Sequence, residues 1–323
     1  MRNKIFIIFS AALLLSGCQL NEVKTIKLAH GLDVTHSVHL ALEYFGDEIR
    51  RISNGQLVLE IYPNSQLGSE REILELIQIG SLHMTKVSAA TLENFAPQSK
   101  VLGLPYIFKN RAHAFRVLDG EIGQNLLKES EKYRLKGLGY YDAGYRSFYT
   151  KERPINQPDE LKGLKIRVME SVTAMNMVRS FGGAPTPISW GELYTSLQQG
   201  VVDGAENNPP SFYLSKHYEI CKYYSLNEHT YSPDVIIIGD SFWNELSVEQ
   251  QNWISTAVNA SIEFQRKLWA NHEAKALEEV TKAGVEIINP DKERFIDLAQ
   301  KVHAQYLHDE ELKSIITQIK ALE

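Results

Sequence analysis

The sequence predicts an α/β protein built as two domains that share one long helix. Three observations predict it. Short apolar strands alternate with amphipathic helices from Lys27 to Val87. The same alternation returns from Leu164 to Asp203. A helical pattern with few breakers then runs from Val248 to about Ala283. Strand–helix–strand alternation argues for sheets with helices on their faces. At 1.5 Å per residue the last helix would reach about 50 Å, longer than one domain.

In order, Lys27-Leu28-Ala29 reads as a strand. Between His36 and Ile52, apolar residues fall at 40, 41, 45, 49 and 52, the spacing of one helix face. Ser53-Asn54-Gly55 closes that helix, with Gly55 as its C-terminal cap. Leu57–Tyr62 is a strand stopped by Pro63-Asn64. Ser69 followed by Glu72 is a capping box, and the helix it opens carries Ile73, Leu74, Leu76, Ile77 and Ile79 before Gly80. Met84–Val87 is the next strand. In the second unit, Leu164–Val168 is a strand and Ser171–Phe181 a helix ended by Gly182-Gly183. Trp190–Gln199 is a helix ended by Gly200, and Val201-Val202-Asp203 a strand. Lys136–Tyr141 and Asp234–Ile238 flank this unit as strands and are expected to be the crossings between domains. Val285–Ile288 is a last strand, with helices from Pro290 onward.

The N-terminus has a different character. Arg2 and Lys4 precede an apolar run from Ile5 to Leu15, broken only by Ser10, and then Leu15-Ser16-Gly17-Cys18. About eleven apolar residues are too few to span a bilayer, which takes roughly 20, but suit the core of a secretory signal peptide. The last four residues look like a bacterial lipobox, cut before Cys18, which then carries lipid. The alternative is an ordinary small-residue cleavage site with Cys18 incidental. Cys18 and Cys221 are the two cysteines, so a lipidated Cys18 leaves no disulfide. Stability must then come from a large core, for which the remaining residues suffice. Loss of Arg2 and Lys4 with the signal leaves 32 basic against 40 acidic residues, a net charge of −8. Such a chain is a poor nucleic-acid partner, and an acidic ligand would need a local cluster of cations.

No GxSxG, HExxH, Walker loop or GxGxxG occurs, so neither an enzyme nor a cofactor is indicated. His36 and His39, three apart, could share a helix face as metal ligands. No third ligand lies near them, and a helix start with one histidine exposed is the simpler reading. Two arginines stand near strand ends: Arg146 in Gly144-Tyr145-Arg146-Ser147-Phe148 and Arg167 in Lys165-Ile166-Arg167-Val168-Met169. Ligands of open α/β sheets sit at the carboxyl ends of strands, and a guanidinium grips a carboxylate through two parallel hydrogen bonds. Alternation along a half-buried strand would equally place Arg167 in solvent or in a surface ion pair. Asn207 and Asn208, ahead of Pro209-Pro210, offer donors and acceptors for hydroxyls or a carboxylate, or else form a turn before the prolines.

Residues 25 to about 310 resemble the solute-binding proteins of TRAP (tripartite ATP-independent periplasmic) transporters, the DctP family. The resemblance is carried by Pro63–Glu72, Leu104-Pro105-Tyr106-Ile107-Phe108 with Arg111-Ala112-His113-Ala114, Leu161–Arg167, Trp190–Tyr194 with Leu197-Gln198-Gln199-Gly200, and Val202-Asp203-Gly204 with Glu206-Asn207. It implies a two-domain periplasmic binding protein of the Venus-flytrap type, each domain a mixed sheet flanked by helices, with the long helix spanning both. The expected division is a signal at 1–17 and a tether at 18–24. One domain takes 25–142 plus 228–262, the other 143–227 plus 263–323, and the helix at about 248–283 is shared.

The resemblance also implies roles. Arg167 matches the family's carboxylate clamp, and Arg146 stands where a second basic contact is frequent. Asn207 matches a ligand-contacting asparagine and Trp190 an aromatic of the cleft wall. Glu70 and His30 lie in regions that touch hydroxyls in sugar-acid binders. Asn208, Met169 and Ser88 complete the expected set, with Cys18 as lipid anchor. Asn208 departs from the proline of many sialic-acid-type relatives. The implied partners are a small organic acid, the membrane permease and a membrane held through the lipid, with the protein acting as a monomer. One carboxylate grip among neutral polar contacts favours a hexuronate, glucuronate or galacturonate. A C4-dicarboxylate, an oxo acid or sialic acid is the alternative, and a periplasmic sugar-acid lyase or hydrolase the alternative of another class. Gln19 lacks the aspartate signal for inner-membrane retention, which leaves an outer-membrane anchor open.

Overall fold

A computed structural model describes residues 23–322; the signal segment and Cys18 lie outside them. The elements are β1 (Lys24–Ala29), α1 (Ser37–Ile52), β2 (Leu57–Tyr62), α2 (Glu70–Gln78), β3 (Met84–Ser88), α3 (Ala89–Leu92), α4 (Arg111–Asp119), α5 (Glu121–Glu129), β4 (Leu135–Tyr141), β5 (Tyr145–Thr150), β6 (Lys165–Val168), α6 (Val172–Ser180), β7 (Ala184–Pro187), α7 (Leu193–Gln198), β8 (Gly204–Asn207), α8 (Pro209–Leu214), β9 (Tyr223–Tyr231), β10 (Asp234–Gly239), α9 (Asp240–Asn244), α10 (Val248–Lys282), β11 (Glu286–Ile288), α11 (Glu293–Ala304) and α12 (Glu310–Ala321).

They form two lobes, each around one mixed sheet. The first sheet runs β2-β1-β3-β10-β4 and the second β11-β9-β5-β8-β6-β7. β1, β2 and β3 are parallel, while β10 is antiparallel to β3 and β4. In the second lobe β6 is parallel to β7 and β8, and β5 is antiparallel to β8. Both faces of the first sheet are covered. Ile73, Leu74 and Ile77 of α2 pack with Val87 and Ile237 on one side, and Leu42, Phe45 and Ile49 of α1 with Ile26, Leu28 and Ile236 on the other. In the second lobe Phe148, Ile166 and Phe181 form one core, and Tyr149, Leu193, Phe212 and Tyr224 another.

The capping box at Ser69 is present: Ser69 accepts the Glu72 N–H, and Glu72 accepts the Ser69 N–H at 2.7 Å. The long helix α10 has 35 residues and its own capping box at Ser247 and Gln250. Ile254, Ala257, Val258 and Trp269 of α10 pack in the first lobe, and Leu277 and Val280 in the second.

Three expectations need correction. Lys136–Tyr141 and Asp234–Ile238 are not the crossings; β4 and β10 pair with each other inside the first sheet. The crossings are the short segments 142–144 and 232–233, with α10 as a third connection. The strand placed at Val201–Asp203 forms at Gly204–Asn207. That run has no β-branched residue to betray it, but Gly204 is required: an added Cβ would stand 2.3 Å from Tyr149 O. Residues 263–323 do not stay with the second lobe. Leu312, Ile316 and Ile319 of α12 pack into the first-lobe core with Leu126 and Leu127, and His113 Nε2 lies 3.0 Å from Ile319 O. No helix among the described residues is long and apolar enough to cross a membrane.

Candidate functional site

Topology brings the polar residues together. β6 and β8 run the same way and β5 against them, so the ends of β6 and β8 and the start of β5 meet at one edge of the second sheet. Ser147 pairs with Asn207 and Arg167 with Ala205 across these strands. At the facing edge of the first sheet Ser88 ends β3 opposite Asp234, which begins β10. Between the edges lies a cleft of about 790 Å³, counted out to its open mouth.

Arg167 is the cation of the cleft with a donor left to bind, among the described residues. It is 1% exposed. Its Nε donates to Ile188 O at 2.8 Å, and its guanidinium carbon lies 5.9 Å from the Trp190 ring centroid. Its Nη1 is buried without a hydrogen-bond partner. Burial pulls the guanidinium below its ordinary value, partly offset by Tyr149 and Glu206. An arginine remains charged even so, and an unpaired buried charge is costly unless a ligand supplies the counter-charge.

Arg146 is otherwise placed. It lies in the same cleft, but its Nε donates to Glu206 Oε2 at 2.5 Å and its Nη2 to Glu206 Oε1 at 2.9 Å. Nη2 also reaches Glu206 O, and Nη1 donates to Asn207 Oδ1 at 2.7 Å. Burial alone would raise the Glu206 carboxyl, but Arg146 and His229 hold it down at about 2. Arg146 is therefore neutralised by the protein. Asn207 Oδ1 also accepts the Asn208 N–H at 2.9 Å, while Asn208 Oδ1 caps α8 through the Ser211 N–H at 2.8 Å.

Across the cleft, Glu70 accepts hydrogen bonds from the Ser88 backbone N–H, Thr91 Oγ1 and Lys86 Nζ, the last at 3.1 Å. Lys86 Nζ also lies 3.4 Å from Asp234 Oδ2. Burial opposes the charge on Lys86, but Asp234 and Glu70 raise its basicity. Burial raises the Asp234 carboxyl, with Lys86 acting against it. Neither Lys86 nor Asp234 was among the residues expected from the sequence. The signal that marked Arg167, a charge inside an apolar strand, marks Lys86 as well, whereas Asp234 only heads its strand.

Trp190, Met169 and Ser88 line the cleft. His30 does not. It is fully buried beneath it, its Nε2 2.9 Å from His39 Nδ1 and its Nδ1 accepting the Leu32 N–H. Burial lowers it to about 2, so it is neutral. The reading of a helix start with one histidine exposed fails, because His36 and His39 are both buried and His36 faces the cleft. His36 caps α1, with Nδ1 accepting the Val38 N–H and Nε2 3.5 Å from Ser211 Oγ of the other lobe. Among the described residues no group of three or more His, Cys, Asp or Glu is arranged to hold a metal.

Two lobes meeting at facing strand ends, with an unpaired cation buried between them, define a solute-binding protein for a small anion. The chain belongs to bacterial extracellular solute-binding protein family 7, DctP, whose model matches residues 28–309. It is 34% identical over 282 residues to a solute-binding protein of Chromohalobacter salexigens, covering 87% of this chain and 84% of that one. It superposes at a TM-score of 0.90 on a TRAP periplasmic solute-binding protein from Xanthobacter autotrophicus with bound β-D-galacturonate. The identity is 37%, and 92% of this chain and 100% of the other are covered. A TRAP periplasmic solute-binding protein from Pseudomonas putida with bound D-glucuronate gives a TM-score of 0.89 at 32% identity, covering 93% and 98%. The protein is thus a periplasmic binding component of a transport system that works with a membrane permease, and not an enzyme.

Proposed function

We propose that this protein captures a hexuronate, D-glucuronate or D-galacturonate, and delivers it to a TRAP permease while tethered by lipid on Cys18. The observation that carries the reading is the buried, unpartnered Nη1 of Arg167. A carboxylate on Arg167 supplies the missing partner. Trp190 offers its face to a sugar ring, and Asn207 offers its amide nitrogen, because Asn207 Oδ1 is already committed to Arg146 and Asn208. A neutral sugar would leave Arg167 unpaired and is rejected. The uronates bound to the Xanthobacter and Pseudomonas proteins support the same ligand class.

The test is thermal denaturation with a panel of acids, followed by calorimetry. A ligand at a hundred times its dissociation constant adds about 2.7 kcal/mol of stability. A raised melting temperature with glucuronate or galacturonate but not glucose supports the reading. A rise confined to dicarboxylates or sialic acid overturns the ligand, and no rise with any acid, before or after refolding from denaturant, overturns the function. Lipid on Cys18 is checked by mass spectrometry of the membrane-extracted protein, where an unmodified N-terminal peptide would refute the tether.

A further inference from the structure

The two ends of the cleft differ in charge chemistry, and this goes beyond the choice of a uronate. At the second-lobe end stands Arg167, with a donor to spare. At the first-lobe end Lys86 is 3% exposed and held between two carboxylates, Glu70 Oε1 at 3.1 Å and Asp234 Oδ2 at 3.4 Å. Its ammonium is already matched. Glu70 is further pinned by Ser88 and Thr91, so it cannot swing away to release the lysine. The other cation lining the cleft, Arg71, is more than half exposed and pairs with Glu75 at 3.2 Å. Arg146 is matched by Glu206.

Given the uronate reading above, the geometry points to the Glu70–Lys86–Asp234 triad as a filter against a second anionic group on the ligand. Glu70 and Asp234 accept hydrogen bonds from hydroxyls of a sugar whose carboxylate lies on Arg167. A second carboxylate at the far end meets two carboxylate side chains and no unmatched cation. Like charges brought together out of water are strongly unfavourable, and rejection of this kind is how a site discriminates between ligands that share one anchor. Lys86 is a positioning residue here. It holds the two acceptors side by side and keeps them from repelling one another.

The experiment compares gluconate with glucarate, displacing bound glucuronate from the purified protein. The two acids have the same open six-carbon chain and differ at one end, hydroxyl against carboxylate. Gluconate is expected to compete at least about tenfold better. The isosteric variants Asp234→Asn and Glu70→Gln each remove one charge and keep the shape, and are expected to narrow that ratio at least threefold, with the dissociation constant of glucuronate measured afresh in each variant, where the loss of a hydroxyl acceptor weakens it. Equal or better competition by glucarate in the unaltered protein overturns the filter, whether or not the variants fold. So does an unchanged ratio in folded variants. Absence of any glucuronate binding by the unaltered protein would instead strike the proposed function itself.

Discussion

Glu93 Oε1 accepts the backbone N–H of Thr173 at 3.1 Å. Glu93 follows α3 of the first lobe, and Thr173 lies in the first turn of α6 of the second. A carboxylate of one lobe is thus seated on the positive end of a helix of the other, beside the Asn94 Nδ2 bond to Glu170 O at 2.5 Å. Neither Glu93 nor Thr173 lines the cleft.

This contact exists only while the lobes are together, so it contributes to closure. A carboxylate at a helix N-terminus is worth about 0.3–2 kcal/mol. Glu93→Leu is therefore expected to weaken ligand binding about two- to thirtyfold, through faster dissociation, although it touches no ligand. Stopped-flow release of a bound uronate measures this, and unchanged dissociation would show that the contact does not hold the lobes.

The two arginines should respond oppositely. Arg167→Met removes an unsatisfied buried cation, so the ligand-free protein is expected to gain stability, on the order of 1 kcal/mol or more. Binding should fall by two orders of magnitude or more, in line with about 3–5 kcal/mol for the loss of one partner of a buried pair. Denaturant titration and calorimetry on the same variant read both signs, and a less stable ligand-free protein would contradict the account.

Glu206→Leu strands Arg146, and is expected to cost about 3–5 kcal/mol of folding stability. Replacing both members, Arg146→Met with Glu206→Leu, should recover much of that cost. Denaturation midpoints of the singles and the double decide it, and a double variant as unstable as the worse single would refute the pairing.

Acid should destabilise the fold in two overlapping windows. His36 and His217 are held down at about 3 and His303 at about 4, in each case by burial first. A histidine neutral in the fold but free to charge when unfolded contributes stability that is complete above its unfolded pKa, near 6.5, and is lost as pH falls toward the folded value. Glu206, held at about 2, adds a loss below the ordinary carboxylate range, as pH falls from about 4.5. Asp234 and Glu93, raised by burial, act in the opposite direction just above that range. Unfolding free energy should accordingly rise from about pH 3 to about 6.5 and then level. A flat profile between pH 4 and 6.5 would contradict the neutral histidines.

Gly144 sits in the crossing between β4 and β5 at φ +61°, where an added Cβ would lie 2.9 Å from Glu273 Oε1 and 3.0 Å from Trp269 Nε1, both on α10. Gly144→Ala adds left-handed strain of about 1–2 kcal/mol and pushes the crossing off the helix. Lower thermal stability together with weaker uronate binding is expected. Full affinity would show that the crossing tolerates the shift.

What the sequence made legible was local. The capping box at Ser69 and the length of α10 follow from neighbours within four residues or from a sustained period. The α/β character follows from periodicity. What it hid were pairings between distant segments. Arg146 and Glu206 are 60 residues apart, and their contact depends on β5 meeting β8 in one register. Local pattern therefore gave the two arginines the same task, although only one has a free donor. Asp234 was hidden by its neighbours, since Val235-Ile236-Ile237-Ile238 reads as plain core strand. The departure of α12 to the first lobe was equally invisible, because an amphipathic helix does not name the surface that covers it.

The long helix α10 carries a mechanical consequence. From Val248 to Lys282 it contains neither glycine nor proline, the residues at which helices most often kink. If the lobes part, the motion is then expected to spread along it as gentle curvature. It is eased where Ser255 and Ser261 turn their hydroxyls back onto Gln251 O and Val258 O, a local bond that softens a helix against bending. The protein then behaves as two jaws on a leaf spring. The free energy of flexing that spring is part of every dissociation constant measured, because the apparent affinity is scaled by the fraction of molecules whose jaws already stand in the gripping position.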